Sequence, residues 1–290
     1  MDYFLTEQQK LIKGLARRIA EERILPVRAE LDEKEEFPWA IVKDMADSDL
    51  FRIFIPEQYE GLGEGLFALC IATEELSRAC CGVALTYATD ALGTIPILLY
   101  GTDEQKQKYL PIIAAGTKLT AFGLTESGAG SDASAIKTTA TPDGDDYILS
   151  GSKQFITNGG EAELYTIIAL TDPSRGIRGA SACIVEKGMP GFTFGKKEQK
   201  MGIRASATRE LVFHNCRVPK DNLVGREGMG FIVTMNTLDV SRTAVGALAV
   251  GLAQGALEAA VAYARERKQF GHPISSLQAI QHMLANMAME

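Results

Sequence analysis

The chain has 290 residues, about the length of two domains, and its 46% hydrophobic and 23% charged residues are ordinary for a globular protein. Its net charge of −7, without a stripe of Lys and Arg, argues against nucleic acid as a partner. The polar, acidic start argues against a secretory or mitochondrial leader, and no apolar run of about 18 residues is apparent, so no membrane partner is expected.

Residues 1–118 are predicted to form a helical domain. Thr6 is placed to cap a first helix, whose apolar residues follow at helical spacing until Pro26 bends or ends it. Further helices are predicted over residues 39–48, 66–78, 82–99 and 103–115, and a Pro- and Gly-rich turn is predicted over 55–65.

The pattern changes near Lys118, and residues 119–225 alternate apolar and polar side chains in short runs. Gly, Asp, Asn and Pro separate these runs, which cover 147–150, 164–170, 180–186, 191–194 and 210–213. A period of two at this spacing predicts an antiparallel sheet, so we expect a middle β domain here.

Residues 226–290 are predicted to form two helices of a third domain. The first covers about 231–267 and carries small residues that would let a neighbouring helix approach closely: Gly246, Ala249, Gly251, Ala253 and Gly255. Gly271 and Pro273 end it, and Ser275 or Ser276 starts the second helix. Because that helix reaches Glu290 without a cap, and two helices cannot close a bundle core, we expect the chain to belong to a longer protein.

The cysteines and histidines do not indicate a metal site or a disulfide framework. The five cysteines lie in apolar surroundings without Cys-x-x-Cys spacing: Cys70, Cys80, Cys81, Cys183 and Cys216. That pattern is typical of reduced thiols in the cytoplasm. The three histidines, at 214, 272 and 282, are too far apart for a local cluster, so no metal is expected.

The segment 123–135, with the sequence GLTESGAGSDASA, carries the most specific chemistry; we call it the glycine-rich loop. It places Thr125, Glu126, Ser131 and Asp132 among three glycines, Gly123, Gly128 and Gly130. Glycines let backbone N–H groups approach a flat or anionic ligand. The segment matches neither the dinucleotide pattern G-x-G-x-x-G nor a phosphate-binding Gly-Lys-Ser/Thr pattern. A plain loop between two domains is the alternative.

Four more segments accompany this loop in order along the chain: KQFITNGG at 153–160, MGIRAS at 201–206, GREGMGF at 225–231 and RERKQFG at 265–271. Together the five segments resemble the acyl-CoA dehydrogenase family of flavoenzymes, and in particular its bacterial butyryl-CoA-type members. The resemblance runs from Leu5 to the last residue. It implies an α+β fold with an N-terminal helical domain at 1–118, a middle antiparallel β-barrel-like domain at 119–225 and the first part of a C-terminal four-helix bundle at 226–290.

The resemblance also implies FAD as the cofactor. The residues expected along the isoalloxazine ring and the start of the acyl-CoA channel are Phe122, Leu124, Thr125, Gly130 and Ser131. Phe155 should pack against the flavin and Thr157 should contact its N5, with a plain strand pair, Phe in and Thr out, as the alternative. The positions that match binding of the ADP part across a subunit interface are Arg267, Gln269, Phe270 and Gln278. These imply a homotetramer, or at least a dimer; a basic helix end that complements its own dipole is the alternative for Arg267.

An acyl-CoA thioester is the implied substrate, with Ser131 and Tyr87 beside its pantetheine and acyl parts. Asp239 and Arg242 match positions near the CoA, with a local helix ion pair as the alternative. Asp132 is expected to pair structurally with Arg204 or Arg209.

In the implied reaction a carboxylate removes the proton α to the thioester while the β-hydrogen leaves as hydride to flavin N5. Most members carry this base as a Glu at a position that would lie beyond residue 290, and the slot that a minority use is Ser241 here, which cannot serve. Asp90, in an apolar helix, is a further candidate, because members that act on cyclic thioesters place an aspartate base in this region. The substrate would then be alicyclic, such as cyclohexenecarboxyl-CoA; local capping by Asp90 is the alternative.

Electron-transferring flavoprotein is the implied acceptor. An oxygen-reducing or nitroalkane oxidase of the same family, and a non-catalytic flavin- or CoA-ester-binding scaffold, are rival interpretations.

Overall fold

The computed structural model describes residues 4–290, so residues 1–3 of the predicted first domain lie outside it. Helix α1 covers Glu7–Ile19, and Thr6 caps it as predicted: the Thr6 hydroxyl accepts from the Gln9 amide at 3.2 Å, and the Gln9 side chain accepts from the Thr6 amide at 3.1 Å. The helix continues as a π-turn over Ala20–Ile24 and ends before Pro26. The two reciprocal hydrogen bonds between Thr6 and Gln9 satisfy two N–H groups that the first turn of the helix leaves free.

The other helices of the N-terminal part follow the predicted boundaries to within one or two residues, with one short addition. Besides α2 at Arg28–Lys34, which the sequence did not suggest, they are α3 at Trp39–Asp47, α4 at Gly65–Ala79, α5 at Cys81–Tyr100 and α6 at Asp103–Ala114.

The middle part is a mixed β-sheet. Its strands are β1 at Thr120–Gly123, β2 at Thr139–Asp143, β3 at Asp146–Thr157, β4 at Leu164–Leu170, β5 at Ala180–Glu186, β6 at Phe192–Lys197, β7 at Thr208–Pro219 and β8 at Leu223–Val224. The order is β6-β7-β3-β2-β4-β5-β8, and β1 pairs with β4. The pairs β1–β4 and β2–β4 are parallel, so a purely antiparallel sheet was wrong in this detail. The β2–β3 hairpin between β1 and β4 supplies the long connection that parallel pairing needs.

The C-terminal part consists of α7 at Gly230–Glu266, a small hairpin of β9 at Lys268–Gln269 and β10 at His272–Pro273, and α8 at Gln278–Met289. A 3₁₀ turn over Ile274–Ser276 precedes α8, so this helix starts later than predicted.

Helix α7 packs on α4 through two of its small residues. A Cβ at Gly251 would lie 2.1 Å from the Glu74 carbonyl oxygen, and one at Gly255 would lie 2.2 Å from that of Arg78. Close helix contact is therefore confirmed for these two positions. For the other three it stays a prediction: a Cβ at Gly246 would meet open space, and Ala249 and Ala253 are exposed in this chain.

Two helices, α5 and α7, are long and apolar enough to cross a bilayer by length and composition, contrary to the expectation of no apolar run of that length. In α5, 78% of the most apolar window is buried inside the protein, as in the core helix of a globular domain. In α7 the corresponding share is 17%, and its exposed apolar side chains include Ile232, Val245, Val250, Leu252 and Tyr263. Such helices are weak support for a membrane span.

Helix α5 is joined to the sheet by polar contacts as well as apolar packing. The Asn158 side-chain amide donates to the carbonyl of Thr86 in α5 at 3.1 Å and to that of Thr120 in β1 at 3.2 Å. The Thr166 hydroxyl of β4 donates to the Gly93 carbonyl at 3.2 Å. A Cβ at Gly93 would lie 2.4 Å from the Thr120 hydroxyl oxygen, so helix and strand touch where glycine leaves room.

Candidate active site

The glycine-rich loop leaves the sheet at the end of β1 and lies along β3. A Cβ at Gly123 would lie 2.6 Å from the Ile167 Cδ1 atom, the far end of a flexible side chain. The Thr125 carbonyl accepts from the Gln154 amide of β3 at 2.8 Å. At Gly128 and Gly130 a Cβ would meet nothing within 4 Å. The loop therefore presents open backbone beside the sheet.

A buried ion pair holds this loop. The Lys153 ammonium lies 2.7 Å from a Glu126 carboxylate oxygen, and their side chains are 0% and 9% exposed. Burial alone would raise the pKa of Glu126, but the Lys153 hydrogen bond and charge, together with hydrogen bonds from Thr138 and Lys137, outweigh it and hold that pKa below its ordinary value. For Lys153 burial dominates, and its pKa is lowered despite Glu126.

Lys153 and Glu126 were not predicted to pair. A signal was present, because Lys153 follows Tyr147 and Leu149 on the buried face of β3, where a lysine requires a carboxylate partner.

Phe155 stands out from the sheet. Its side chain is 59% exposed, and its backbone has φ +59°, a conformation that bulky residues rarely adopt. The β3–β7 register shifts between Lys153 and Ile156, and this irregularity turns Phe155 outward. The alternative of a plain strand pair with Phe inside is therefore wrong. Thr157 is partly buried and pairs with Thr208 of β7.

The remaining residues predicted along the ring differ in exposure. Phe122 is buried in an apolar cluster with Ala129 and Ile136. Leu124 and Thr125 are partly buried, and Gly130 and Ser131 are exposed. Their contacts with a flavin stay predictions.

Asp90 lies at the contact of α5 with β1 and is 0% exposed. One carboxylate oxygen, Oδ1, accepts from the Thr120 amide at 2.6 Å. The other, Oδ2, is buried and has no hydrogen-bond partner among residues 4–290. Burial raises the pKa of Asp90 to about 8, although hydrogen bonds from Thr120 oppose the rise.

Tyr87, predicted beside the acyl chain, is also buried. Its hydroxyl donates to the Leu50 carbonyl at 2.9 Å, and its ring packs edge-on against Phe51. Burial raises the pKa of this phenol well above its ordinary value.

The residues predicted at the ADP and CoA parts lie on α7, the β9–β10 hairpin and α8. Their side chains are exposed: Arg267, Gln269, Phe270, Gln278, Asp239 and Arg242. Phe270 reaches 90% exposure. Asp239 and Arg242 form no ion pair with each other in residues 4–290, so the local-pair alternative is wrong.

The predicted pairing of Asp132 with an arginine is wrong. The Asp132 carboxylate instead accepts from the Ser134 amide at 3.2 Å and from its hydroxyl, which closes a short turn. Arg204 pairs with Glu35 at 3.0 Å, and Arg209 donates to the Gly195 carbonyl.

Models of one protein family match almost the whole chain. Residues 6–117 match the N-terminal domain of acyl-CoA dehydrogenase, residues 121–216 the middle domain and residues 228–290 the C-terminal domain.

Individual relatives agree with these matches. The acryloyl-CoA reductase (NADH) of Anaerotignum propionicum is 47% identical over 290 residues, or 99% of this chain and 74% of the relative. The solved butyryl-CoA dehydrogenase of Megasphaera elsdenii is 43% identical with a TM-score of 0.96, over 100% of this chain and 77% of its own. A chain solved in work on the electron transferring flavoprotein of Acidaminococcus fermentans is 50% identical with a TM-score of 0.97, over 100% and 76%.

Proposed function

The chain belongs to the acyl-CoA dehydrogenase family, and on that premise we propose that its substrate is a short, straight-chain acyl-CoA thioester. The predicted resemblance and α+β fold class are confirmed. The chain is a FAD-dependent enzyme of acyl-CoA dehydrogenation. Support for a short acyl group comes from the names of its relatives, an acryloyl-CoA reductase and a butyryl-CoA dehydrogenase.

The single observation that supports the site best is the open, fixed glycine-rich loop. Space beside Gly128 and Gly130, and an outward ring at Phe155, fit a flat cofactor laid against the sheet. The donors nearby are neutral, the Thr125 hydroxyl and loop N–H groups, and neutral donors suit a ring system whose charge changes on reduction.

When bound, FAD supplies the acceptor for the hydride that leaves the thioester β-carbon. The chain's own residues bind and orient the two molecules. Thr125 and the amides of the loop would face the polar edge of the ring. Ser131, exposed at the far end of the loop, would face the pantetheine, and Asp239 and Arg242 would face the rest of the CoA.

The two candidate substrates, a straight acyl-CoA thioester and an alicyclic one, require different catalytic bases. For a straight acyl group we propose a Glu outside residues 1–290, a proposal supported by relatives of which the chain spans about three quarters. One observation favours the second candidate, Asp90 with an alicyclic thioester: its buried Oδ2 has no partner among the described residues. Against it, Asp90 is fully buried and its Oδ1 is committed to the Thr120 amide.

We also propose a cytoplasmic homotetramer that passes electrons to an electron-transferring flavoprotein. The exposed Arg267, Gln269 and Phe270 support binding of the ADP part from a second copy, and a 50% identical chain comes from work on such a flavoprotein. The five cysteines are free, as expected for a reducing compartment. Light scattering of the FAD-loaded protein would measure the mass of the assembly.

Anaerobic titration tests the substrate. We expect butyryl-CoA to bleach the flavin absorbance band, and cyclohexenecarboxyl-CoA to leave it unchanged. Bleaching by the cyclic thioester alone would favour the second candidate. Rapid reoxidation by air without an acceptor protein would instead identify an oxidase.

Replacing Phe155 by alanine tests the flavin face. Because the ring is exposed, we expect the Phe155→Ala variant to unfold at the wild-type temperature when free of flavin. Its affinity for FAD should fall roughly 3- to 10-fold, the range of an aromatic stacking contact. Phe67→Ala, which removes a similarly exposed ring from α4, is the control and should change neither quantity. Lower stability with unchanged FAD affinity would contradict the proposed contact.

A further inference from the structure

We propose that Lys153 and Glu126 are positioning residues, which hold the glycine-rich loop in the shape that receives the isoalloxazine ring. The inference rests on the flavin site proposed above. It adds two residues that are not themselves among the predicted ligand contacts.

The pair binds the backbone on both sides of the loop. The Lys153 ammonium donates to the Leu124 carbonyl at 3.0 Å as well as to Glu126 at 2.7 Å. The Glu126 carboxylate accepts from the amides of Lys137 at 2.7 Å and Thr138 at 3.0 Å. Entry and exit of the loop are therefore fastened to one buried ion pair.

The loop has few other fixed points. Glu126 and Ala129 exchange backbone hydrogen bonds of 3.1 Å, and the Thr125 carbonyl accepts from Gln154. A Cβ at Gly128 or Gly130 would meet nothing within 4 Å, and Ala129 between them is buried. Without the pair, the N–H groups that should meet the ring would lose their fixed direction, because glycines permit many backbone conformations.

The two charges depend on each other. Removing Lys153 alone would leave a buried carboxylate without its cation, which is the most disruptive change, whereas removing both charges leaves neither unpaired. This difference separates a role for the pair from a general effect of substitution in the core.

The experiment uses Lys153→Met, Glu126→Gln, the double variant and Lys43→Met. The last is the matched control, since Lys43 forms an exposed ion pair with Asp47 on α3. Two quantities are measured: the FAD dissociation constant by flavin fluorescence, and amide hydrogen exchange of residues 124–138 in flavin-free protein.

For Lys153→Met we expect FAD to bind about 10-fold more weakly or worse, the effect of a buried polar group left without its partner. Exchange should accelerate in residues 124–138 and not elsewhere. The double variant should recover part of the affinity for FAD. At saturating FAD, turnover should return to near the wild-type value. Lys43→Met should match the wild type throughout.

Unchanged FAD affinity in Lys153→Met, or faster exchange spread evenly over the chain, would overturn the proposal. If Lys153→Met does not fold, Glu126→Gln, which keeps an accepting oxygen for one of the two amides, decides between the same outcomes. Wild-type protein that binds no FAD would instead refute the flavin site itself. Exchange in flavin-free protein would still show whether the pair fixes the loop.

Discussion

The Asp90→Asn variant is expected to keep its turnover on butyryl-CoA while its stability becomes less dependent on pH than that of the wild type. Asp90 is fully buried, and its Oδ1 accepts from the amide of Thr120, where β1 begins. An asparagine oxygen can accept the same hydrogen bond. If Asp90 only joins α5 to β1, the reaction does not need its charge.

The direction of the pH effect follows from the raised pKa. Burial raises the pKa of Asp90 to about 8 in the folded chain from an ordinary value of 3.8, so the folded state retains a proton that the unfolded state has lost. Its contribution to stability is complete below about pH 4 and is lost as the pH rises through 8, with a slope of up to about 1.4 kcal/mol per pH unit. The neighbouring titratable group, Tyr87, has a pKa far above this window.

Urea unfolding between pH 5 and 9 provides the measurement. The wild type should lose stability relative to Asp90→Asn as the pH rises, and Asp145→Asn, at an exposed turn residue, should follow the wild type. Parallel curves for wild type and Asp90→Asn would contradict the raised pKa. A loss of turnover of about 100-fold or more in a folded variant would identify Asp90 as the base and favour an alicyclic substrate.

Replacing Gly251 by alanine is expected to destabilise the protein by about 1–3 kcal/mol, the usual cost of overpacking. The added methyl group would lie 2.1 Å from the Glu74 carbonyl oxygen, a backbone atom that cannot turn aside. Helices α4 and α7 would have to separate. Gly255→Ala should behave similarly, because its methyl group would meet the Arg78 carbonyl at 2.2 Å.

Gly246→Ala is the matched control on the same helix. Its methyl group would meet nothing within 4 Å, so the higher helix propensity of alanine should stabilise the protein by up to about 1 kcal/mol. Thermal unfolding should therefore shift in opposite directions for the two variants. A shift in the same direction would show that α7 does not pack on α4 through Gly251.

Most elements could be predicted because their signals are local. The Thr6 cap, the periodicity of α4 and the apolar run of β4 each lie within a few neighbouring residues. The parallel pairing of β1 with β4 could not be predicted in this way, because strand direction depends on how distant segments meet. Only two of the five small residues predicted at a helix contact of α7 lie against α4, because glycine and alanine fit both a helix interface and a solvent-exposed side.

The candidate site shows the same limit. The glycine-rich loop was visible in the sequence, but its fastening was not, because Glu126 and Lys153 are brought together only by the course of β3. Phe155 was expected to face inward if it were a plain strand residue, and the register shift beside it reversed that orientation. The Asp132 carboxylate likewise accepts a hydrogen bond from Ser134, two residues away, and does not pair with an arginine.

The Asn158 side-chain amide, which donates to the carbonyls of Thr86 and Thr120, has a consequence for the cost of ligand binding. This one side chain joins α5 to β1, the strand from which the glycine-rich loop leaves, and it does so within the chain itself. Binding of a ligand to the loop therefore does not carry the entropic cost of ordering this contact.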